Sequence, residues 1–127
     1  MRRNISGRSP WEEVVGYSRA VRVGNHVSVA GTTATVNGKM VHLGNPAGQT
    51  RVILEIIRGA LAEAGASLSD VVRTRIYVTD ISQWQLIGQV HGEVFGSVRP
   101  ACSMVQVAAL IDPDHLLEIE ADAIVQA

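Results

Sequence analysis

The sequence predicts an α+β fold: a two-layer sandwich of one mixed, mostly antiparallel sheet with two helices on one face. Three observations carry this. Two turn dipeptides, Gly24-Asn25 and Asn37-Gly38, sit between β-branched runs in the first third of the chain. Two later stretches place apolar residues at helical spacing. The segments that follow those stretches return to strand alternation. At 127 residues the chain is read as a single domain, 1–127, with residues 1–15 as an N-terminal arm.

The arm is polar and holds Gly7, Ser9 and Pro10. Tyr17–Val23 and His26–Thr32 flank Gly24-Asn25 and form the first predicted hairpin. Thr33–Val36 and Lys39–His42 flank Asn37-Gly38 and form a second. Gly44-Asn45-Pro46 breaks the pattern. Residues 47–64 then carry Val52, Ile53, Ile56, Ile57, Ala60, Leu61 and Ala64 on one stripe, and Gly65 is placed to end that helix in the left-handed conformation. After a turn at Ser67–Asp70, Val71–Val78 alternates, with Val72, Thr74, Ile76 and Val78 on one side and Arg73, Arg75 and Tyr77 on the other. Asp80 or Ser82 caps a second helix, whose stripe is Trp84, Ile87, His91, Val94 and Phe95. Trp84 and Phe95 are expected in the core, and His91 as a satisfied packing residue. Ala101–Leu110 and Leu116–Val125 complete the sheet, separated by Pro113.

Composition excludes several functions. A net charge of −1 and 4% aromatic residues give neither the basic footprint nor the stacking platforms of a nucleic-acid binder. The lone Cys102 rules out an internal disulfide and a cysteine-rich zinc site. No apolar run follows the basic start, and no window approaches a membrane span. The expectation is a cytoplasmic protein with no membrane partner.

Two helices cover one sheet face. On the other, Ala101–Leu110 presents no clearly solvated row, and the last strand offers Glu118, Glu120 and Asp122. A half-apolar face with a few carboxylates predicts packing between subunits around small clefts, hence a homo-oligomer.

Several segments, in order, resemble the RidA (YjgF, endoribonuclease L-PSP-like) family. They are Gly16-Tyr17, Val23-Gly24-Asn25, Ala30-Gly31, Gln49-Thr50, Asp70–Thr74 with Tyr77–Asp80, Arg99-Pro100-Ala101 with Val105–Ala108 and Leu110, and Leu117–Ala121. The resemblance spans about residues 16–125. It implies a chorismate-mutase-like fold, a homotrimer with clefts between neighbouring subunits, and hydrolysis of a reactive imine or enamine metabolite to a carbonyl compound and ammonia, with no metal or organic cofactor. It places Glu118 as the catalytic residue that handles water, Tyr17 as a ring that covers the ligand, and Gly31 where backbone meets it. Glu120, on the same face, is a coupling or ion-pair partner for Glu118.

The family holds its substrate carboxylate with an arginine two residues after the proline of the fifth strand, where this chain has Cys102. A thiol cannot replace a bidentate guanidinium, so 2-imino acid deamination is expected to suffer. Cys102 and Met104 are then expected to line the cleft. A nucleophilic Cys102 is the weaker alternative, because no sequence-adjacent His supports a thiolate. Among the cations that could substitute (Arg19, Arg22, Arg73 and Arg75), Arg75 is favoured because it stands inside a sheet. The alternative function is a non-catalytic trimeric protein that binds a small metabolite in the same clefts. An endoribonuclease is disfavoured by the charge balance.

Overall fold

Gly24 and Asn25 turn the chain through two residues, so that Val23 pairs with His26 across the turn. That hairpin joins β2 (Ala20–Val23) to β3 (His26–Thr32). The computed structural model describes residues 1–126. Ahead of the hairpin lie β1 (Arg2–Ile5) and a short helix, α1 (Trp11–Val15). The N-terminal arm expected over residues 1–15 thus carries a strand and a helical turn. Arg2–Ile5 pairs antiparallel with β2 and forms one edge of the sheet, and α1 is a third helix beyond the two expected.

The Asn37-Gly38 turn also forms, with positive φ at both residues as a type I′ turn requires. Its strands are only β4 (Thr35–Val36) and β5 (Lys39–Met40), and they make a separate two-stranded ribbon outside the main sheet. Helix α2 (Pro46–Glu63) follows. Asn45 caps it by accepting a hydrogen bond from the Gly48 N–H, and Pro46 takes the first helical position. The buried stripe includes Ile53, Ile57, Ala60 and Leu61, as the spacing requires, but also Leu54. Gly65 has φ +78°, and the Ala66 N–H returns to the Leu61 carbonyl, closing the helix end.

β6 (Val71–Val78), α3 (Trp84–Phe95) and β7 (Ala101–Gln106) form a crossover with β6 and β7 parallel, and β8 (Leu117–Ile124) enters between β3 and β6. The main sheet runs β1-β2-β3-β8-β6-β7. The register of β6 against β8 shifts between Val71 and Arg73, so Val72 leaves the predicted inward row and is exposed. Asp80 caps the 3₁₀ turn Ile81–Gln83 rather than α3 itself, and α3 has no side-chain cap. Phe95 is buried, whereas Trp84 stands 52% exposed at the first turn of α3 and is not a core anchor.

The core lies between the sheet and the α2–α3 layer. Val27, Val29, Thr74, Ile76, Val78, Leu117, Ile119, Ala121 and Ala123 supply the sheet side. Each fully buried Ile or Leu there contributes about 2 kcal/mol. His91 packs tilted on Phe95 with centroids 4.8 Å apart, and its Nε2 meets Thr74 Oγ1 at 3.0 Å. Among the described residues no helix is long and apolar enough to cross a membrane.

Candidate active site

Alternation in β8 turns Leu117, Ile119, Ala121 and Ala123 inward and leaves Glu118, Glu120 and Asp122 on the face away from the helices. β6 answers from that same face. Glu118, Glu120 and Asp122 are in register with Tyr77, Arg75 and Arg73. The face is thus more polar than its apolar row suggested, and most of its charges are already engaged. Arg75 Nη1 lies 3.0 Å from Asp122 Oδ2 and 3.6 Å from Glu120 Oε1. The Tyr77 hydroxyl donates to Glu120 at 2.8 Å, and that bond pushes the phenol above its usual range. The Ser28 hydroxyl donates to Asp122 at 2.9 Å. Arg73 donates to the Ser103 hydroxyl at 3.2 Å.

Glu118 is the exception. It is half-buried, and among the described residues its carboxylate accepts no hydrogen bond. Burial pushes its carboxyl above the ordinary glutamate range, against the opposing pull of Arg19 and His115. The carboxylate is pressed on Gly31: a Cβ built there would lie 2.8 Å from Glu118 Cδ and 3.0 Å from each carboxylate oxygen. The glycine is needed for this close approach, because its φ is not in the left-handed region. Gly31 sits where the β3–β8 register shifts between Val29 and Thr32. That bulge frees the Gly31 carbonyl from the ladder, and Arg19 Nη2 donates to it.

The site is braced from the helix layer by Gln49, at the start of α2. Its buried amide donates to the carbonyls of His42 (3.3 Å) and Asp114 (3.0 Å) and accepts from the Leu116 N–H (3.0 Å). Leu116 lies two residues before Glu118, so Gln49 fixes the entry of β8. His115, in the same segment, meets Thr35 Oγ1 at 3.3 Å.

The predicted site residues fall into two groups. Tyr17, Gly31 and Glu118 gather around Arg19: Tyr17 and Glu118 both act on its charge, and Gly31 is its hydrogen-bond partner. Tyr17 also lines a concavity of about 690 Å³ between α1 and the outer sheet face, together with Glu12, Ser28, Arg75, Glu120 and Asp122. Cys102 and Met104 lie elsewhere. They are in register with Thr74 and Ile76, which face the core, so they stand on the helix side of β7, at the opposite edge of the sheet from β1. Cys102 is exposed there, and Met104 packs partly against the core. Arg75 is held by two carboxylates. Arg19 was legible only as one cation among four. Both it and Tyr17 lie ahead of β2, although the sequence predicts a strand over Tyr17–Val23.

Residues 8–125 match the sequence model of the family described as Endoribonuclease L-PSP. The chain belongs to that family. Its members include the RidA/YjgF proteins. The crystal structure of Rv2704 from Mycobacterium tuberculosis, a member of the YjgF/YER057c/UK114 family, is 54% identical, superposes with a TM-score of 0.90, and covers 98% of this chain and 100% of its own. The 3-aminoacrylate deaminase RutC of Acinetobacter baylyi is 41% identical over 104 residues, which are 81% of this chain and 82% of that protein. The crystal structure of E. coli TdcF with bound serine is 27% identical with a TM-score of 0.81, covering 98% of this chain and 94% of its own. The α+β sandwich expected from the sequence is the architecture of these family structures.

Proposed function

We propose that the protein hydrolyses a small reactive enamine or imine to a carbonyl compound and ammonia, in clefts between the subunits of a homotrimer. The observation that carries the reading is Glu118. A half-buried carboxyl, above its usual range, without a hydrogen-bond partner among the described residues and held against a glycine backbone, is suited to exchange protons with a water or a substrate. The kinship with a protein named 3-aminoacrylate deaminase supports the reaction class.

The reaction needs a proton carrier at two points. An enamine takes a proton on carbon and becomes an iminium. Water attacks the C=N carbon, forming a C–O bond, while the electron pair of the π bond moves to nitrogen. Glu118 carboxylate takes the proton released by that water and passes it to the amine. The C–N bond of the carbinolamine then breaks, ammonia leaves, and the hydroxyl oxygen, losing its proton, becomes the carbonyl. A carboxyl whose affinity for protons is raised by burial serves better as both acceptor and donor than one at the ordinary value.

The assembly reading rests on the split between the two groups of site residues. Glu118, Gly31 and Tyr17 lie toward β2–β3–β8, while Cys102 and Met104 lie on the far edge strand and the opposite face. In the proposed trimer a second copy brings these groups into one cleft.

The test is an assay with 2-iminopropanoate, 2-iminobutanoate and 3-aminoacrylate generated in situ, comparing the wild-type chain with Cys102→Arg and measuring mass by light scattering. Turnover by a trimer supports the reading. Turnover by the variant alone would mean that the water site persists without its clamp. Turnover by neither would favour the alternative, a trimeric metabolite-binding protein, and a monomer would remove the cleft.

A further inference from the structure

Arg19 and Arg73 are the two arginines whose Nε is buried without an acceptor among the described residues, and Arg19 is the one beside Glu118. Arg75, Arg51 and Arg58 each sit within 4 Å of a carboxylate. Arg19 does not, among the described residues, although it is only partly accessible. Its aliphatic stem lies under the N-terminal segment: a Cβ at Gly7 would stand 3.1 Å from Arg19 Cδ. Its Nη2 donates to the Gly31 carbonyl, and its Nε is fully buried with no acceptor. A guanidinium largely taken out of water with a donor unsatisfied and no carboxylate in direct contact is unfavourable unless something else completes it.

What completes it is suggested by what stands beside it. Arg19 touches Gly31 at the carbonyl, and Glu118 touches Gly31 at the α-carbon, yet the two charges do not close into an ion pair within 4 Å. A cation and an acid thus meet the same glycine without pairing with each other. Arg75, the cation favoured from sequence, is neutralised by Asp122 and Glu120, and Arg73 is turned to Ser103.

We propose that Arg19 binds the carboxylate of the substrate, so that the site takes short anionic enamines or imines with the reacting carbon directed at Glu118. The binding part of this inference stands on Arg19 itself; the reaction part rests on the hydrolase reading above. The cation missing at Cys102 is then supplied from the β2 side of the sheet, and the N-terminal segment acquires a role, which is to cover and fix the Arg19 stem. A planar guanidinium with its Nη2 anchored on a backbone carbonyl is restricted in orientation before the ligand arrives, which favours recognition of a planar carboxylate.

The test uses the full chain and two stable probes, 2-oxobutanoate and its neutral amide, titrated by calorimetry or NMR. The wild type is expected to bind the acid at least tenfold more tightly than the amide. Arg19→Met should lose that difference by weakening the acid alone, and Arg19→Lys should retain part of it. In turnover, Arg19→Met should raise KM at least tenfold while kcat changes much less. If Arg19 merely holds Gly31 in place, Arg19→Met will weaken acid and amide alike, and the proposal falls. It falls equally if the wild type binds the acid no better than the amide, or does not bind it. Should Arg19→Met fail to fold, the acid-against-amide comparison on the wild type decides. Arg19-dependent binding of the acid with no turnover of any imine would keep this proposal and remove the hydrolase reading.

Discussion

Gly31→Ala is the sharpest perturbation of the site. The new methyl would be built 2.8 Å from Glu118 Cδ and 3.0 Å from both carboxylate oxygens. Ordinary carbon–carbon contact begins at about 3.5 Å, so the carboxyl must retreat by roughly 0.7 Å or swing to another rotamer. The backbone needs no adjustment, because φ at Gly31 is within the range that alanine adopts. The cost to the fold is therefore small. Alanine lowers the entropy of the unfolded chain by an amount worth about 0.4–1 kcal/mol, which offsets the displacement of one flexible side-chain end. Tm is expected to move by no more than about 4 °C. Catalysis should suffer far more, since a misplacement of about 1 Å can cost on the order of 100-fold. The measurement is imine hydrolysis by purified Gly31→Ala beside a thermal melt of the same sample. Full activity at unchanged Tm would mean that the contact with Gly31 does not set the working position of Glu118.

The same geometry fixes further outcomes. Glu118→Gln should abolish turnover and raise Tm at pH 7: the folded-state pKa of Glu118 lies above its unfolded value, so the native state binds more protons than the unfolded chain between those values, and stability falls as pH rises through that window. The gain at pH 7 should vanish in melts at acid pH, and is refuted by a lower Tm at pH 7. A carbon-detected NMR titration should also place the Glu118 midpoint above the ordinary glutamate range. Gln49→Leu leaves the carbonyls of His42 and Asp114 and the Leu116 N–H without their side-chain partner; about 2–3 kcal/mol of stability should be lost in urea unfolding, with lower activity through the entry of β8. Asn45→Ala removes the α2 cap and should cost about 1 kcal/mol with activity retained.

The sheet and its two long helices were legible because their signals are local. Gly24-Asn25, the 3.6-residue stripe of α2 and the alternation of β8 each occupy one short window. What escaped depends on partners distant in sequence. Arg2–Ile5 is polar and becomes a strand through pairing with β2. The strand expected over Ala101–Leu110 stops at Gln106, because the neighbouring β6 ends at Val78 and the Val107 N–H makes a last bond to its carbonyl. Trp84 lies on the apolar stripe of α3 but at its exposed first turn.

The candidate site divides the same way. Alternation puts Glu118 on the outer face, and the resemblance marks it out. The bulge that brings Gly31 against it, and turns the Gly31 carbonyl to Arg19, is a mismatch between two strands some ninety residues apart in the chain and leaves no local trace. That Asp122 and Glu120 both reach Arg75 depends on the β6–β8 register, which no local pattern shows.

The most direct test of Glu118 as the acid–base group is ammonia release from freshly generated 2-iminobutanoate and 3-aminoacrylate, followed with wild type and Glu118→Gln side by side at pH 7. Acceleration by the wild type on at least one of them, with the Gln variant no faster than buffer, is the expected result. Equal rates from the two proteins, or no acceleration by either, would contradict it.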